Sequence, residues 1–146
     1  MCAEGVMSQP QFTITKSFAA SSAELWEAWT DATVFATWME PYGVDPSSVV
    51  IQPHFGGKYF YTMVNAETGD EFHTGGVFLE VTPTQRLSMT WGEPGSPVEE
   101  SPRLTLSFSE REQETELVFH LHGFSGEPGD GFVYDGWDRA LTNLQN

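Results

Sequence analysis

Basic residues and cysteine are scarce in this chain, and long hydrophobic runs are absent. The 146 residues include 6 Lys and Arg against 21 Asp and Glu, a formal net charge of −15 at pH 7. A surface of this sign repels the phosphates of nucleic acids and of anionic membranes, so we expect neither as a partner. The single cysteine, Cys2, excludes an internal disulfide. The N-terminus lacks the basic start and apolar run of a secretory signal, so we expect a cytoplasmic protein.

The length and the hydrophobic content fit one domain. With 39% hydrophobic residues the chain can form a substantial core, and it contains no repeat, low-complexity tract or linker. Residues 1–10 have no apolar periodicity and are predicted to form a flexible arm. We therefore expect a single ligand-binding domain over residues 11–146.

The C-terminal stretch from Pro128 to Asn146 predicts the one long helix. Its apolar residues recur at helical spacing, so that they form a continuous stripe along one face: Val133, Trp137, Ala140, Leu141 and Leu144. Asp130 is a suitable N-cap for this helix. Because most of the chain before it has the pattern of strands, we expect this helix to cover the face of a sheet.

The N-terminal part of the domain predicts a strand followed by two short helices. Apolar and polar residues alternate over Phe12 to Phe18, as in a half-buried strand. Ser21 and Glu24 have the spacing of a capping box, which begins the first helix. Asp31 is placed to cap a second helix, which Pro41 ends.

The remainder alternates in the manner of an antiparallel meander. With strand one this gives a curved sheet of six to seven strands, an α+β architecture, and Gly56-Gly57 predicts a bend in it. We expect the curled sheet and the single long helix to leave a space between them. The alternating segments are Val49 and Ile51; Tyr59, Tyr61 and Met63; Val77, Leu79 and Val81; Leu87, Met89 and Trp91; Leu104, Leu106 and Phe108; and Leu117, Phe119 and Leu121.

Several short motifs, in this order and at these distances, resemble a known superfamily. They are Phe18-Ala19-Ala20, Glu24 through Asp31, Trp38, Gly56-Gly57-Lys58-Tyr59, Gly76 through Pro83 with Arg86-Leu87, and Gly136-Trp137 with Leu141. Together they resemble the SRPBCC superfamily of START-like domains with the helix-grip fold. Within it the chain is most similar to the bacterial homologues of the heat-shock-protein ATPase activator.

This resemblance implies three kinds of function. Members of the superfamily bind hydrophobic ligands between sheet and helix, and we take such binding as the main hypothesis. A minority, such as the aromatic polyketide cyclases, catalyse reactions there, so an enzyme of cyclase or hydrolase type is an alternative. A co-chaperone-like role with a protein partner is the third. Fold analogy does not decide among them.

The predicted ligand-binding residues are mainly aromatic and thioether side chains on the inward faces of the strands and the long helix. Each could instead be ordinary core, and a cavity is indicated only by the set as a whole. The set comprises Trp38, Tyr59, Tyr61, Met63, His73, Val77, Met89, Trp91, Phe108, Phe119, Tyr134, Trp137 and Leu141.

Histidines provide the candidate chemistry. His73 shares the parity of Val77 and is predicted to face the cavity, either as a general acid or base or as a histidine satisfied by a neighbouring group. His120 and His122 have a spacing used by metal sites, but their parity places them on the outer face without further ligands. No nucleophile with an adjacent base is visible, so we expect no metal, no cofactor and binding rather than catalysis.

Overall fold

The computed structural model describes residues 10–38, 43–130 and 133–145. Cys2, Pro41 and the predicted arm up to residue 9 lie outside the described residues. The elements, in chain order, are β1 (Gln11–Phe18), α1 (Ser22–Thr30), α2 (Ala32–Phe35), β2 (Gly43–Val44), β3 (Val50–Ile51), β4 (Lys58–Val64), β5 (Glu71–Thr82), β6 (Arg86–Thr90), β7 (Arg103–Arg111), β8 (Glu114–His122) and α3 (Val133–Gln145).

The strands of the described residues form one antiparallel sheet of eight strands. Its order is β1-β8-β7-β6-β5-β4-β2, and β3 also pairs with β4. The predicted α+β helix-grip fold is confirmed, with two short helices after β1 and a C-terminal helix against a curved sheet. The strand beyond the predicted seven is β2, which has two residues and is too short to show a period.

All three predicted helix starts are present, and at the start of α2 the Asp31 carboxylate accepts hydrogen bonds from the amides of Thr33 (2.9 Å) and Val34 (3.1 Å). The Ser21 side chain accepts a hydrogen bond from the Glu24 amide (3.1 Å), and Glu24 Oε1 accepts one from the Ser21 amide (3.0 Å). At the start of α3, the Asp130 carboxylate accepts from the amides of Tyr134 and Asp135, both at 3.2 Å. These carboxylate oxygens satisfy amides of the first turn, which have no partner within the helix.

The core lies between the sheet and the helices. Trp137 and Leu141 of α3 are buried against the sheet face that carries Phe119 of β8, and the rings of Trp137 and Phe119 are 4.8 Å apart. In β8 alternate residues from Thr115 to Leu121 are buried. Alternation along the strand therefore directs one face to α3 and the other to solvent.

A register irregularity in β5 decides which of its residues face α3. It lies between Phe78 and Glu80, so Leu79 is an additional residue that reverses the parity of the strand. Before it, Phe78 is 1% exposed and faces the core; after it, Val81 packs against the core. The prediction that Val77 faces inward is wrong for this reason.

Two glycines allow neighbouring backbone segments to approach closely. A Cβ on Gly57 would lie 2.1 Å from the carbonyl oxygen of Gln52, in the turn between β3 and β4. A Cβ on Gly76 would lie 2.1 Å from the carbonyl oxygen of Thr90, on the neighbouring strand β6. No larger residue fits either position without moving the backbone.

Candidate functional site

A small apolar cavity lies between the sheet and the helices. Its volume is about 20 Å³, and its wall is formed by Trp29, Phe35, Ile51, Tyr59, Tyr61, Phe78, Met89, Trp91, Leu104 and Trp137. None of these ten described residues carries a charged side chain. A space of this size holds about one water molecule.

The cavity is small because aromatic side chains from α1 and α2 occupy the space beside α3. The ring of Trp29 lies 6.1 Å from that of Trp137 and 4.7 Å from that of Trp38. Phe35 reaches across to Tyr61 of β4, with ring centroids 5.1 Å apart. The side chains of the two short helices therefore occupy space between the curled sheet and α3.

Five of the predicted ligand-binding residues line this cavity: Tyr59, Tyr61, Met89, Trp91 and Trp137. Other predicted residues belong to the surrounding core, away from the cavity wall: Trp38, Met63, Phe108, Phe119, Tyr134 and Leu141. Among them, Trp38 is held by a hydrogen bond from its Nε1 to the carbonyl of Ala28 (3.0 Å). Two of these six pack directly on the cavity wall: the ring of Trp38 lies against that of Trp29, and the ring of Phe119 lies against that of Trp137.

His73 lies outside the cavity, so its predicted position is wrong, like that of Val77. The same parity reversal at Leu79 is responsible, because β5 residues of odd number before it face away from α3. His73 Nδ1 is hydrogen-bonded to Thr62 Oγ1 (2.9 Å), and its ring stacks on Phe60 at 5.9 Å. It is a histidine satisfied by a neighbouring hydroxyl, which was the alternative interpretation.

The other five wall residues were not in the predicted set: Trp29, Phe35, Ile51, Phe78 and Leu104. Trp29 and Phe35 lie on the apolar sides of α1 and α2, which the sequence does show. It does not show that these helices border the cavity. Phe78 is the bulkiest residue of the predicted segment Val77 to Val81, and its size is a signal in the sequence that it faces inward.

The two tyrosines of β4 are buried and neutral. The Tyr59 hydroxyl donates to the carbonyl of Thr90 (2.6 Å). Burial raises the pKa of Tyr59 well above its ordinary value, and the nearby Tyr61 adds to the effect. Burial likewise raises the pKa of Tyr61 to about 12, while Trp91 and Thr74 act in the opposite direction. Both hydroxyls therefore keep their protons at neutral pH.

Two indole N–H groups of the cavity wall have no hydrogen-bond partner among the described residues. They are Nε1 of Trp29 and Nε1 of Trp91, and both atoms are buried. Trp91 lies close enough to Tyr61 to lower its pKa, yet the geometry between them does not make a hydrogen bond. A buried donor without an acceptor costs about 1–3 kcal/mol, so two of them beside one cavity are unusual.

His120 lies on the outer face of β8, as the alternation predicts, and His122 is exposed. His120 Nδ1 is hydrogen-bonded to Thr13 Oγ1 (2.8 Å). Partial burial lowers the pKa of His120, and the charge of His122 lowers it further. Within the described part of the chain, no group of three or more His, Cys, Asp or Glu residues is arranged to hold a metal ion. None of the described helices is long and apolar enough to cross a membrane.

Comparison with known proteins identifies similar folds. A family model described as Activator of Hsp90 ATPase homolog 1-like protein matches residues 19–146. No match is found among the curated proteins.

Three solved structures illustrate the likeness. Protein CV1439 from Chromobacterium violaceum is 19% identical, with a TM-score of 0.78 over 92% of this chain and 94% of that one. Protein NE0264 from Nitrosomonas europaea is 21% identical, with a TM-score of 0.75 over 93% and 92%. PFC0360w, an HSP90 activator from Plasmodium falciparum, is 22% identical, with a TM-score of 0.67 over 92% and 93%. At these identities the likeness establishes the fold alone.

Proposed function

The chain belongs to the Activator of Hsp90 ATPase homolog 1-like family, and on that basis we propose that residues 11–146 act as one domain that binds a small, largely apolar molecule. The binding site is the cavity between the sheet and α3. The observation that carries this proposal is the composition of the cavity wall, which is aromatic and aliphatic with a few polar tips. Such walls are typical of small-molecule sites.

Ligand entry requires the cavity to widen from its volume of about 20 Å³. Phe35 is the wall residue best placed to move, because it belongs to α2, a helix of only four residues. A segment of this length is fixed by few backbone hydrogen bonds, so it can shift without disturbing the sheet. Movement of Phe35 away from Tyr61 would open the space over β4.

Enlarging the cavity by mutation tests this proposal. Leu104→Ala removes a wall side chain, and we expect it to bind toluene more tightly than the parent protein does. Leu106→Ala is the matched control, because Leu106 is fully buried on the same face of β7 but does not line the cavity. Isothermal titration calorimetry measures both affinities. Equal affinity of the two variants for toluene would contradict the proposal.

Filling the cavity is the complementary test. Phe78→Trp adds bulk to the wall and should weaken toluene binding, whereas Val77→Trp adds bulk to the outer face of the same strand and should not. Overpacking a core costs about 1–3 kcal/mol, so circular dichroism must first show that both variants are folded. Loss of binding in both, or in neither, would place the ligand elsewhere.

The enzyme alternative loses the residue on which it depended. The predicted cyclase or hydrolase mechanism requires His73 as general acid or base, and His73 lies outside the cavity. The titratable side chains among the described wall residues are Tyr59 and Tyr61, whose pKa values burial raises. Neither exchanges protons readily near neutral pH.

A co-chaperone-like interaction is the second candidate, and a groove along β4 and β5, outside the cavity, favours it. We call this the outer groove; it is lined by Phe60, Glu71, Phe72, His73, Glu93 and Pro94. Phe72 is 42% exposed, and two carboxylates lie in the same groove. This arrangement fits a partner surface on which Lys or Arg surrounds an apolar side chain. By analogy with the HSP90 activator from Plasmodium falciparum, we take an Hsp90-type ATPase as that partner.

The ATPase rate of the Hsp90 from the organism that encodes this chain tests the second candidate. The parent chain should raise this rate, and the combined change Phe72→Ser and Glu93→Lys should abolish the effect. Val98→Ser is the control, since Val98 is exposed to a similar degree (39%) outside the outer groove. An unchanged rate with the parent chain would reject the co-chaperone role.

A further inference from the structure

The cavity wall contains two buried hydrogen-bond donors for which the described residues provide no acceptor. Trp29 is 3% exposed and belongs to α1, and Trp91 follows β6. Both line the cavity, and the buried Nε1 atoms of both have no partner among the described residues. The ring of Trp137 lies 6.1 Å from that of Trp29 and 5.9 Å from that of Trp91, so both indoles border the same part of the wall.

Trp38 shows that a buried indole N–H group in this core can have an acceptor. It is equally buried (3%) and packs on Trp29, but its Nε1 donates to the carbonyl of Ala28 at 3.0 Å. Tyr59, also in the cavity wall, directs its hydroxyl proton to the carbonyl of Thr90. The buried donors that lack an acceptor among the described residues, those of Trp29 and Trp91, therefore both belong to the cavity wall.

We propose that the cavity takes a neutral ligand that carries a carbonyl or comparable hydrogen-bond acceptor, with the N–H of Trp29 or Trp91 as its donor. This inference rests on the proposed binding function and specifies the class of ligand. The donor is already desolvated in the protein, so an acceptor that enters the cavity gains a hydrogen bond without removing water from the indole. A carboxylate is disfavoured, because burying a charge among uncharged wall residues is costly.

Two ligands of the same shape separate the contribution of the hydrogen-bond acceptor to binding from that of apolar contact. Cyclopentanone and methylenecyclopentane differ only in that a carbonyl oxygen replaces a methylene group. Each is titrated into the parent protein and into the Leu104→Ala variant, and the indole N–H resonances are followed by proton–nitrogen correlation spectra. We expect the ketone, but not the alkene, to move the N–H resonance of Trp29 or Trp91 downfield. The resonance of Trp38 should not move, because its hydrogen bond to Ala28 is already formed.

Removal of each donor provides an independent measurement. Trp29→Phe and Trp91→Phe remove the N–H group and keep an aromatic ring, and they also assign the resonances. The ratio of ketone to alkene affinity should fall by about 2–10-fold in the variant that has lost the ligand's donor, as for one neutral hydrogen bond. Trp38→Phe is the matched control and should leave this ratio unchanged.

The possible outcomes distinguish the two proposals. If both compounds bind but no indole resonance responds to the ketone, and the affinity ratio is the same in all three Trp variants, the acceptor inference is overturned and the binding function stands. If neither compound binds to the parent or to Leu104→Ala, the binding function is overturned, and the acceptor inference with it. A downfield shift together with a reduced ratio in the same variant supports both.

Discussion

At the scale of single residues, Thr84 has the most unfavourable backbone conformation in its turn. The turn joins β5 to β6, and the amide of Gln85 donates to the carbonyl of Thr82 at 3.0 Å. Pro83 is suited to the second position of such a turn, but Thr84 follows it with a φ of 62°. A β-branched residue rarely adopts this left-handed conformation, and its hydroxyl compensates in part by donating to the carbonyl of Pro83 (2.6 Å).

Replacement of Thr84 by glycine should therefore stabilise the protein. Glycine adopts a positive φ without steric cost, and we expect the free energy of unfolding to rise by about 1 kcal/mol. Thr84→Val is the control, because it keeps the β-branch and loses the hydroxyl, and it should be less stable than the parent. Urea denaturation measures both variants. A glycine variant less stable than the parent would show that the turn is not strained.

His120 makes a pH-dependent contribution to stability. Partial burial lowers its pKa in the folded protein below the ordinary value of 6.5, and the charge of His122 adds to this. Above pH 6.5 the contribution is complete, and it is lost as the pH falls toward the lower pKa of the folded state, because the unfolded chain takes up the proton first. When the pH is lowered from about 7.5 to 5.5, the melting temperature of the parent should fall further than that of the His120→Gln variant. Parallel curves for the two proteins would refute this explanation.

At the scale of elements, periodicity predicted the structure wherever a long segment keeps one pattern. The stripe of α3 and the alternation of β8 could be read directly, because Trp137, Leu141 and Phe119 are buried as their spacing requires. In β5 the pattern changes at Leu79, and neither glycine nor proline marks that position. The alternation therefore predicts the wrong inward residues before Leu79, whereas Val81 packs against the core as predicted.

The volume of the cavity could not be read from the sequence at all. Composition shows that aromatic residues are abundant, but whether they line a space or fill it depends on their side-chain conformations. Phe35 illustrates this, since the sequence predicts the helix to which it belongs but not its contact with Tyr61. Volume is a property of packing between elements that are distant in sequence.

The attachment of α3 to the sheet is predicted to depend on Trp137. Its ring contacts those of Trp29, Trp91 and Phe119, so truncation removes packing on three sides. Trp137→Ala should lower the free energy of unfolding by about 3–5 kcal/mol. Leu144→Ala, at a half-buried position of the same helix, is the control and should cost much less. Thermal unfolding followed by circular dichroism gives the comparison, and similar losses in both variants would contradict it.

At the scale of the whole molecule, charge is the dominant property. The net charge of −15 is spread over a chain with only six Lys and Arg. In the described part of the chain two of these form ion pairs, Lys16 with Asp138 and Arg86 with Glu80, both at 3.0 Å. The carboxylates that remain repel one another, and this repulsion is stronger in the compact folded state than in the unfolded chain.

Salt should consequently stabilise the protein. Raising KCl from low ionic strength to about 0.3 M shortens the screening length to a few ångströms, and the melting temperature should rise. The double change Glu99→Lys and Glu100→Lys in the exposed turn before β7 should raise the melting temperature at low salt and make it less dependent on salt. A melting temperature that falls with KCl would indicate that attractive ion pairs outweigh the repulsion.

The tryptophans of the core have an optical consequence. Trp38, Trp29, Trp137 and Trp91 form a continuous series with ring separations of 4.7, 6.1 and 5.9 Å. At such distances excitation passes from one indole to the next before light is emitted, and their electronic transitions couple. The near-ultraviolet dichroism and the emission of these four tryptophans therefore belong to the series as a whole, and their spectrum reports simultaneously on α1, α3 and the end of β6.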